Sequence, residues 1–175
     1  MSETLDRIAS ELGGHLKALG LTLATAESCT GGWVAKVVTD VPGSSTWFDR
    51  GYVTYSNEAK VEMLGVSVRT LDAEGAVSEA VVREMVLGAL AHSRASVALA
   101  VSGIAGPDGG TEDKPVGTVW FAWALPGTDP AAGAVQVQTQ RLQFAGNRDE
   151  VRHQSVRVGL SRLLEFLTQA PPAGV

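Results

Sequence analysis

Residues 97–101 form a nearly unbroken apolar run, Val-Ala-Leu-Ala-Val. A strand that is apolar on both faces must be covered on both sides, which is typical of the centre of a mainly parallel sheet. Parallel neighbours in such a sheet are joined by crossover connections, and these are usually helices. This segment therefore predicts an α/β fold in which helices cover both faces of the sheet.

Helical periodicity and capping residues place helices along the rest of the chain. Apolar residues at spacings of three and four over residues 5–19 predict a first helix that ends at Gly20. A second helix is predicted over residues 32–39. Three more helices are predicted to begin at residues whose side chains can cap them, namely Asn57, Ser78 and Asn147.

Five segments have the pattern of strands, and together they define the expected sheet. They are residues 21–26, 48–55, 97–101, 117–125 and 135–144. The hairpin loop predicted at residues 128–133 leaves no room for a crossover helix, so the last two strands should pair antiparallel. We expect a three-layer α/β/α sandwich with a mixed, mainly parallel sheet of about five strands. We expect a single domain over residues 1–175 with its core at about residues 5–168.

Composition excludes several classes of partner. The net charge is −5 and no basic run is present, so a nucleic acid is not expected to bind. The chain has no apolar span approaching about 18 residues and no secretory signal, so no membrane partner is expected. Cys29 is the single cysteine, which excludes an internal disulfide and fits a reducing compartment. We expect a cytoplasmic protein that acts on a small molecule.

Three strands are followed by unusual residues, and ligands of α/β sheets bind beyond the carboxyl ends of strands. These segments, expected to converge on one pocket, are residues 27–32, 52–60 and 102–110. Ser28 is either a candidate nucleophile or a helix cap, and Thr30 could cap the helix equally well. Gly31 and Gly32 would let a ligand approach the main chain, and the helix N-terminus would favour a phosphate or carboxylate.

A serine nucleophile needs a base, and Lys60 is the better candidate. All three histidines fall on predicted helices without a convincing position: His15, His92 and His153. Lys60 lies in the first turn of a predicted helix, where the helix dipole and burial would lower its pKa. It could also be an ordinary solvated lysine. Tyr55 could relay a proton between Ser28 and Lys60, or could simply pack at the strand end.

Other residues leave further alternatives open. Cys29 is a rival nucleophile or a buried structural thiol. The glycine-rich residues 103–110 could cradle a phosphate or form a rigid turn. The acidic residues at 108–113 are not expected to hold a metal, because carboxylates in a loop are usually solvated. Arg148, just inside the last predicted helix, could contact a phosphate or be a surface residue.

Several strings of this chain together resemble the CinA C-terminal domain family. They are Thr25-Ala-Glu-Ser-Cys-Thr-Gly-Gly32, Gly43-Ser-Ser45, Gly51-Tyr-Val-Thr-Tyr-Ser-Asn-Glu-Ala-Lys60, Gly75-Ala-Val-Ser78, Ser102-Gly-Ile-Ala-Gly-Pro-Asp-Gly-Gly110 and Lys114-Pro-Val-Gly-Thr-Val-Trp120. They occur in the same order as in the family, and the resemblance spans roughly residues 5–168.

This resemblance implies a nicotinamide-nucleotide amidase, which converts nicotinamide mononucleotide and water to nicotinate mononucleotide and ammonia without a metal or organic cofactor. Carried onto this chain, it makes Ser28 the nucleophile, Lys60 the base and Tyr55 an assisting group. The substrate-binding residues that it implies are Thr30, Gly31, Gly32, Ser102, Gly103, Gly106 and Arg148.

Two other functions stay open. A non-catalytic nucleotide-binding or regulatory module, linked to competence or DNA damage, would need the glycine loops but not Ser28, Lys60 and Tyr55 together. A different amidase or esterase could use the same site. The apolar helices make a homodimer the expected assembly in each case.

Overall fold

A five-stranded sheet forms the middle layer of the computed structural model, which describes residues 3–127 and 133–169. Its strands are β1 (Leu23–Glu27), β2 (Phe48–Val53), β3 (Val97–Gly103), β4 (Thr118–Pro126) and β5 (Val135–Gln143). They lie in the order β2-β1-β3-β4-β5. β1 pairs in parallel with β2 and β3, whereas β4 is antiparallel to both β3 and β5. The mixed sheet, the central position of β3 and the antiparallel last pair are confirmed.

Helices cover both faces of this sheet, which confirms the α/β/α sandwich. They are α1 (Glu3–Ala18), α2 (Trp33–Thr39), α3 (Asn57–Leu64), α4 (Val68–Glu74), α5 (Glu79–Ala91) and α6 (Arg148–Gln169). The core on one face is formed with α1, α2 and α6, and the core on the other with α3, α4 and α5. A short 3₁₀ helix, Ser44–Thr46, precedes β2.

The two faces of the sheet carry side chains of different size. Large residues point towards α1, α2 and α6, among them Leu23, Leu99, Phe121 and Trp123. Alanines point towards α5, namely Ala24, Ala26, Ala98, Ala100, Ala122 and Ala124. Since successive side chains of a strand point to opposite faces, the run at 97–101 alternates between these two surfaces. The small alanine side chains leave room for α5 to lie close to the sheet.

The predicted elements agree with the structure except at a few places. Ser56, not Asn57, caps α3, because its Oγ accepts the main-chain N–H of Ala59 at 3.0 Å and Asn57 is already helical. The predicted caps Ser78 and Asn147 are confirmed by their bonds to N–H groups of the following turn. Helix α4 was not predicted. Residues 128–132 of the predicted hairpin loop lie outside the described residues.

Gly88 tests how closely α5 and α3 pack. It is buried in α5 against the Leu64 carbonyl, and a methyl group there would overlap that carbonyl. We expect Gly88→Ala to lower the free energy of unfolding by about 1–3 kcal/mol. The matched control is Gly14→Ala in α1, where an added Cβ would meet no atom within 4 Å. It should stabilise the protein by about 0.5–1 kcal/mol, because alanine is the better helix former. Urea denaturation measures both, and a Gly88→Ala protein as stable as the wild type would contradict this packing.

Candidate active site

The carboxyl ends of the three parallel strands β1, β2 and β3 open into one cleft of about 220 Å³. The residues that line it are Ser28, Cys29, Tyr55, Asn57, Lys60, Ala76, Val77, Ser102, Gly103, Ala105 and Arg148. The predicted convergence of the three strand ends is therefore confirmed. Ala76 and Val77, which precede α5, and Arg148, the first residue of α6, complete the wall of the cleft. The sequence patterns did not predict that Ala76 and Val77 line it.

Ser28 lies immediately after β1 and is held by the sheet. Its main-chain N–H donates to the Val101 carbonyl of β3 at 3.0 Å, and 8% of its surface is exposed. Because side chains alternate along β1, Glu27 points towards α2 whereas Ser28 points towards α3. The serine hydroxyl is thus directed into the cleft.

Lys60 is a buried residue of α3 whose amine meets the Ser28 hydroxyl. Its Nζ lies 3.0 Å from Ser28 Oγ, and only 1% of the residue is exposed. The amine also donates to the Thr54 carbonyl at 2.9 Å and to the Tyr55 carbonyl at 3.4 Å. None of the ion pairs among the described residues includes Lys60. Burial lowers the pKa of Lys60 below its ordinary value of 10.5, so the neutral amine is favoured more than in water.

The three oxygen neighbours of Lys60 suit both protonation states of the amine. A neutral amine has two N–H groups for the Thr54 and Tyr55 carbonyls, and its lone pair is left to accept the Ser28 hydroxyl proton. A protonated amine has three N–H groups and can donate to all three oxygens. The site can therefore take up the serine proton without leaving a polar group unpaired.

Tyr55 and Arg148 meet at the rim of the cleft. Tyr55 is 60% exposed, and its hydroxyl accepts a hydrogen bond from Arg148 Nη2 at 2.9 Å. Arg148 Nη1 donates to the Gly106 carbonyl at 2.8 Å. Tyr55 contacts Lys60 through its main-chain carbonyl, and Ser28 and Lys60 are in direct contact. A proton can therefore pass between these two groups without a relay through Tyr55.

The other predicted binding residues differ in their relation to the cleft. Ser102 and Gly103 line it, and Ser102 Oγ donates to the Ala76 carbonyl at 2.8 Å. Gly106 acts through its carbonyl, which holds Arg148. Three residues of the turn after Cys29 are not among the described residues that line the cleft, namely Thr30, Gly31 and Gly32.

The N-terminus of α2 is occupied by the protein's own carboxylate. Glu27 Oε1 accepts the main-chain N–H of Val34 at 2.8 Å, and Oε2 accepts that of Ala35 at 3.0 Å. Burial raises the pKa of Glu27, while the Thr30 hydroxyl and the main-chain N–H groups oppose that rise. The expectation that a ligand anion binds at this helix end is corrected, because Glu27 already fills the place. A charged residue at the end of the otherwise uncharged strand Leu-Ala-Thr-Ala-Glu was the signal for this role.

Cys29 is a poor nucleophile in this structure. The residue is buried, and burial raises the pKa of its thiol to about 12. The reactive thiolate is therefore scarce near neutral pH. This favours a structural thiol over the rival nucleophile.

No group of three His, Cys, Asp or Glu side chains in the described part of the chain could hold a metal ion. Among the same residues, no helix is both long enough and apolar enough to cross a membrane.

The comparisons with known proteins decide the family. The model of the CinA C-terminal domain matches residues 5–167. The chain belongs to the CinA C-terminal domain family. It is 55% identical over 165 residues to the nicotinamide-nucleotide amidohydrolase PncC of Escherichia coli strain K12, covering 94% of this chain and 96% of that protein. It is 48% identical over 167 residues to PncC of Pseudomonas putida, covering 95% and 99%.

Solved structures of the family share this fold. A CinA superfamily protein from Klebsiella pneumoniae has a TM-score of 0.86 and 40% identity, with 94% of this chain and 98% of that chain covered. The competence/damage inducible protein CihA from Agrobacterium tumefaciens has a TM-score of 0.86 and 41% identity, with 97% and 98% covered. Both likenesses extend over the whole three-layer architecture.

The buried amine of Lys60 makes the stability of this family member depend on pH. The pKa of Lys60 is lower in the folded state than its ordinary 10.5, so between these two values the unfolded chain binds more protons. The free energy of unfolding of the wild type relative to Lys60→Met should therefore rise with pH in this window, by at most about 1.4 kcal/mol per pH unit. Urea denaturation of both proteins between about pH 7 and pH 10 measures this difference. A difference that stays flat or falls as pH rises would contradict a depressed pKa.

Proposed function

We propose that this chain is a nicotinamide-nucleotide amidase, which hydrolyses the carboxamide of nicotinamide mononucleotide to nicotinate mononucleotide and ammonia in pyridine-nucleotide recycling. The observation that carries the proposal is the 3.0 Å contact between the buried Lys60 amine and the Ser28 hydroxyl in the strand-end cleft. The substrate comes from the relatives, since the 55% identical Escherichia coli protein is a nicotinamide-nucleotide amidohydrolase. A module that only bound nucleotides would need the cleft but not a buried amine against a hydroxyl.

The first half of the proposed reaction forms an acyl-serine. Ser28 Oγ attacks the carboxamide carbon, and neutral Lys60 takes the hydroxyl proton through its lone pair. The carbonyl oxygen becomes an oxyanion, for which main-chain N–H groups next to Ser28 or in the 102–110 loop are the candidate donors. The loss of one such donor typically costs about 3–4 kcal/mol. The Lys60 ammonium then gives its proton to the amide nitrogen, the C–N bond breaks and ammonia leaves.

The second half regenerates the serine. Neutral Lys60 removes a proton from a water molecule as that water attacks the acyl carbon. The proton then returns to Ser28 Oγ when the ester bond breaks, and nicotinate mononucleotide is released. The positive charge on the pyridinium ring of the substrate disfavours a second positive charge nearby, which helps to keep Lys60 neutral before attack.

Substrate binding is proposed to use the walls and rim of the cleft. Ser102 and Gly103 lie beside the nucleophile and would contact the carboxamide or the ring. Arg148 stands at the rim with Tyr55, so it would meet the ribose or the phosphate outside the cleft. In this arrangement Tyr55 assists binding, and the Gly31–Gly32 turn shapes the nucleophile segment.

The proposal includes a cytoplasmic location and a homodimer. The single reduced thiol, Cys29, supports a reducing compartment. Exposed apolar side chains on several helices support association between copies, among them Met63, Val68 and Leu87. Light scattering on the purified protein measures the assembly, and a monomeric mass at micromolar concentration would remove the dimer from the proposal.

Ammonia release from nicotinamide mononucleotide, with EDTA present, tests the nucleophile and the base. Ser28→Ala and Lys60→Met should each lose at least about 10³-fold in kcat/KM, because the acyl-serine cannot form efficiently. The matched control is Cys29→Ala, which changes the adjacent residue in the same cleft and should keep activity within about threefold. Circular dichroism verifies that each variant is folded. Equal activity in Ser28→Ala and the wild type would exclude Ser28 as the nucleophile. An inactive wild type that still binds the nucleotide would favour the regulatory module.

The pH dependence of kcat/KM tests the protonation state of the base. Activity should rise with pH as Lys60 loses its proton, and the midpoint should lie below 10.5 because burial lowers the pKa of Lys60. This rise should be absent from the residual activity of Lys60→Met. A midpoint at or above 10.5, or the same rise in the variant, would exclude Lys60 as the general base.

A further inference from the structure

Arg152, a residue of α6, binds the turn that carries Ser28. Arg152 Nε donates to the Cys29 carbonyl at 3.1 Å, and Nη2 donates to the Thr30 carbonyl at 3.2 Å. These carbonyls belong to the two residues that directly follow Ser28. One planar guanidinium therefore holds two consecutive residues of the turn after the nucleophile.

Trp33 fixes the direction of this guanidinium. The Arg152 guanidinium carbon lies 5.4 Å from the centre of the Trp33 ring, which is within the range of a cation–π contact. Trp33 is the first residue of α2, so Arg152 contacts both the beginning and the end of the turn. Gly31, between them, has a φ of +60°, and a Cβ there would lie 3.5 Å from Arg152 Nη2. The turn and the guanidinium are thus closely fitted.

Arg152 does not reach the reacting groups. It is not among the described residues that line the Ser28 cleft, and it instead lines a separate groove with Trp33 and His153. The Glu27 carboxylate holds the helix that follows this turn, because it accepts the main-chain N–H groups of Val34 and Ala35 in α2. Glu27 therefore holds the start of α2, and Arg152 contacts the turn itself.

We propose that Arg152 is a positioning residue for the nucleophile. Its two hydrogen bonds fix the positions of the Cys29 and Thr30 carbonyl groups. By fixing this part of the main chain, they also fix the position of Ser28 Oγ relative to Lys60 Nζ. A displacement of about 1 Å in a reacting group can lower a rate by about 100-fold, so a loosened turn should slow the chemical step. This inference rests on the proposed function, because it requires Ser28 to be the nucleophile.

The test compares Arg152→Lys and Arg152→Met with Arg162→Met in the ammonia-release assay. Lysine keeps the positive charge but lacks a planar pair of N–H groups that could hold two carbonyls and stack on Trp33. Both Arg152 variants should lose about 10- to 100-fold in kcat, with KM within about threefold of the wild type. The control residue Arg162 lies on the same helix, is 44% exposed in its side chain and pairs with Glu165, so its variant should match the wild type. Thermal unfolding gives the folded fraction by which each kcat is normalised.

Each outcome separates this inference from the proposed function. Normal kcat in Arg152→Lys would mean that the positive charge alone suffices, and normal kcat in Arg152→Met would mean that neither contact is needed. Either result would overturn the positioning role. A raised KM with unchanged kcat would also overturn it and would make Arg152 a substrate ligand. Ser28→Ala, run in the same assay, must be inactive while the wild type is active. If that condition fails, the proposed function falls and this inference falls with it; if it holds, only the Arg152 results decide.

Discussion

Lys60 carries its amine into the protein interior, where an amine without hydrogen-bond partners would be strongly destabilising. The fold supplies three oxygen neighbours at one point: the Ser28 hydroxyl and the carbonyls of Thr54 and Tyr55. Those carbonyls are available because β2 ends at Val53, so that Thr54 and Tyr55 are the first two residues after the strand. The Thr54 N–H donates to the Glu27 carbonyl at 2.8 Å, which joins the end of β2 to the end of β1. The parallel pairing of two strands thus creates the surroundings that the amine needs.

The asymmetry of the sheet determines on which side this site forms. Large side chains fill the space beneath α1, α2 and α6, whereas alanines face α5. Helix α5 packs on the alanine face, and α3 on the same side brings Lys60 to the Ser28 hydroxyl at the end of β1. Alternation along β1 then directs Ser28 to this side and Glu27 to the other. Ser28 and the Glu27 carboxylate are therefore adjacent in sequence but point to opposite faces of the sheet.

The first turns of α6 link the rim of the cleft to the turn that follows Ser28. Arg148 and Arg152 are four residues apart, so they lie on the same face of the helix. Arg148 reaches the rim, where it holds the Gly106 carbonyl and the Tyr55 hydroxyl. Arg152 reaches the Cys29 and Thr30 carbonyls behind the cleft. One helix terminus thus supports both the proposed binding residue and the segment of the proposed nucleophile.

The sequence alone determined the three-layer architecture, because the periods of helices and strands arise from local backbone geometry and can be counted along the chain. It also identified Ser28 and Lys60 as candidates, from residue type at strand ends and from the family motifs. Tertiary structure decided what these residues touch. That Lys60 is buried against Ser28, that Glu27 fills the end of α2 and that Arg152 holds the turn all depend on side chains from different elements. The Arg152 contact joins residues 122 and 123 positions apart. No local period encodes such a contact, since it exists only after the sheet has aligned its strand ends and the helices have packed on both faces.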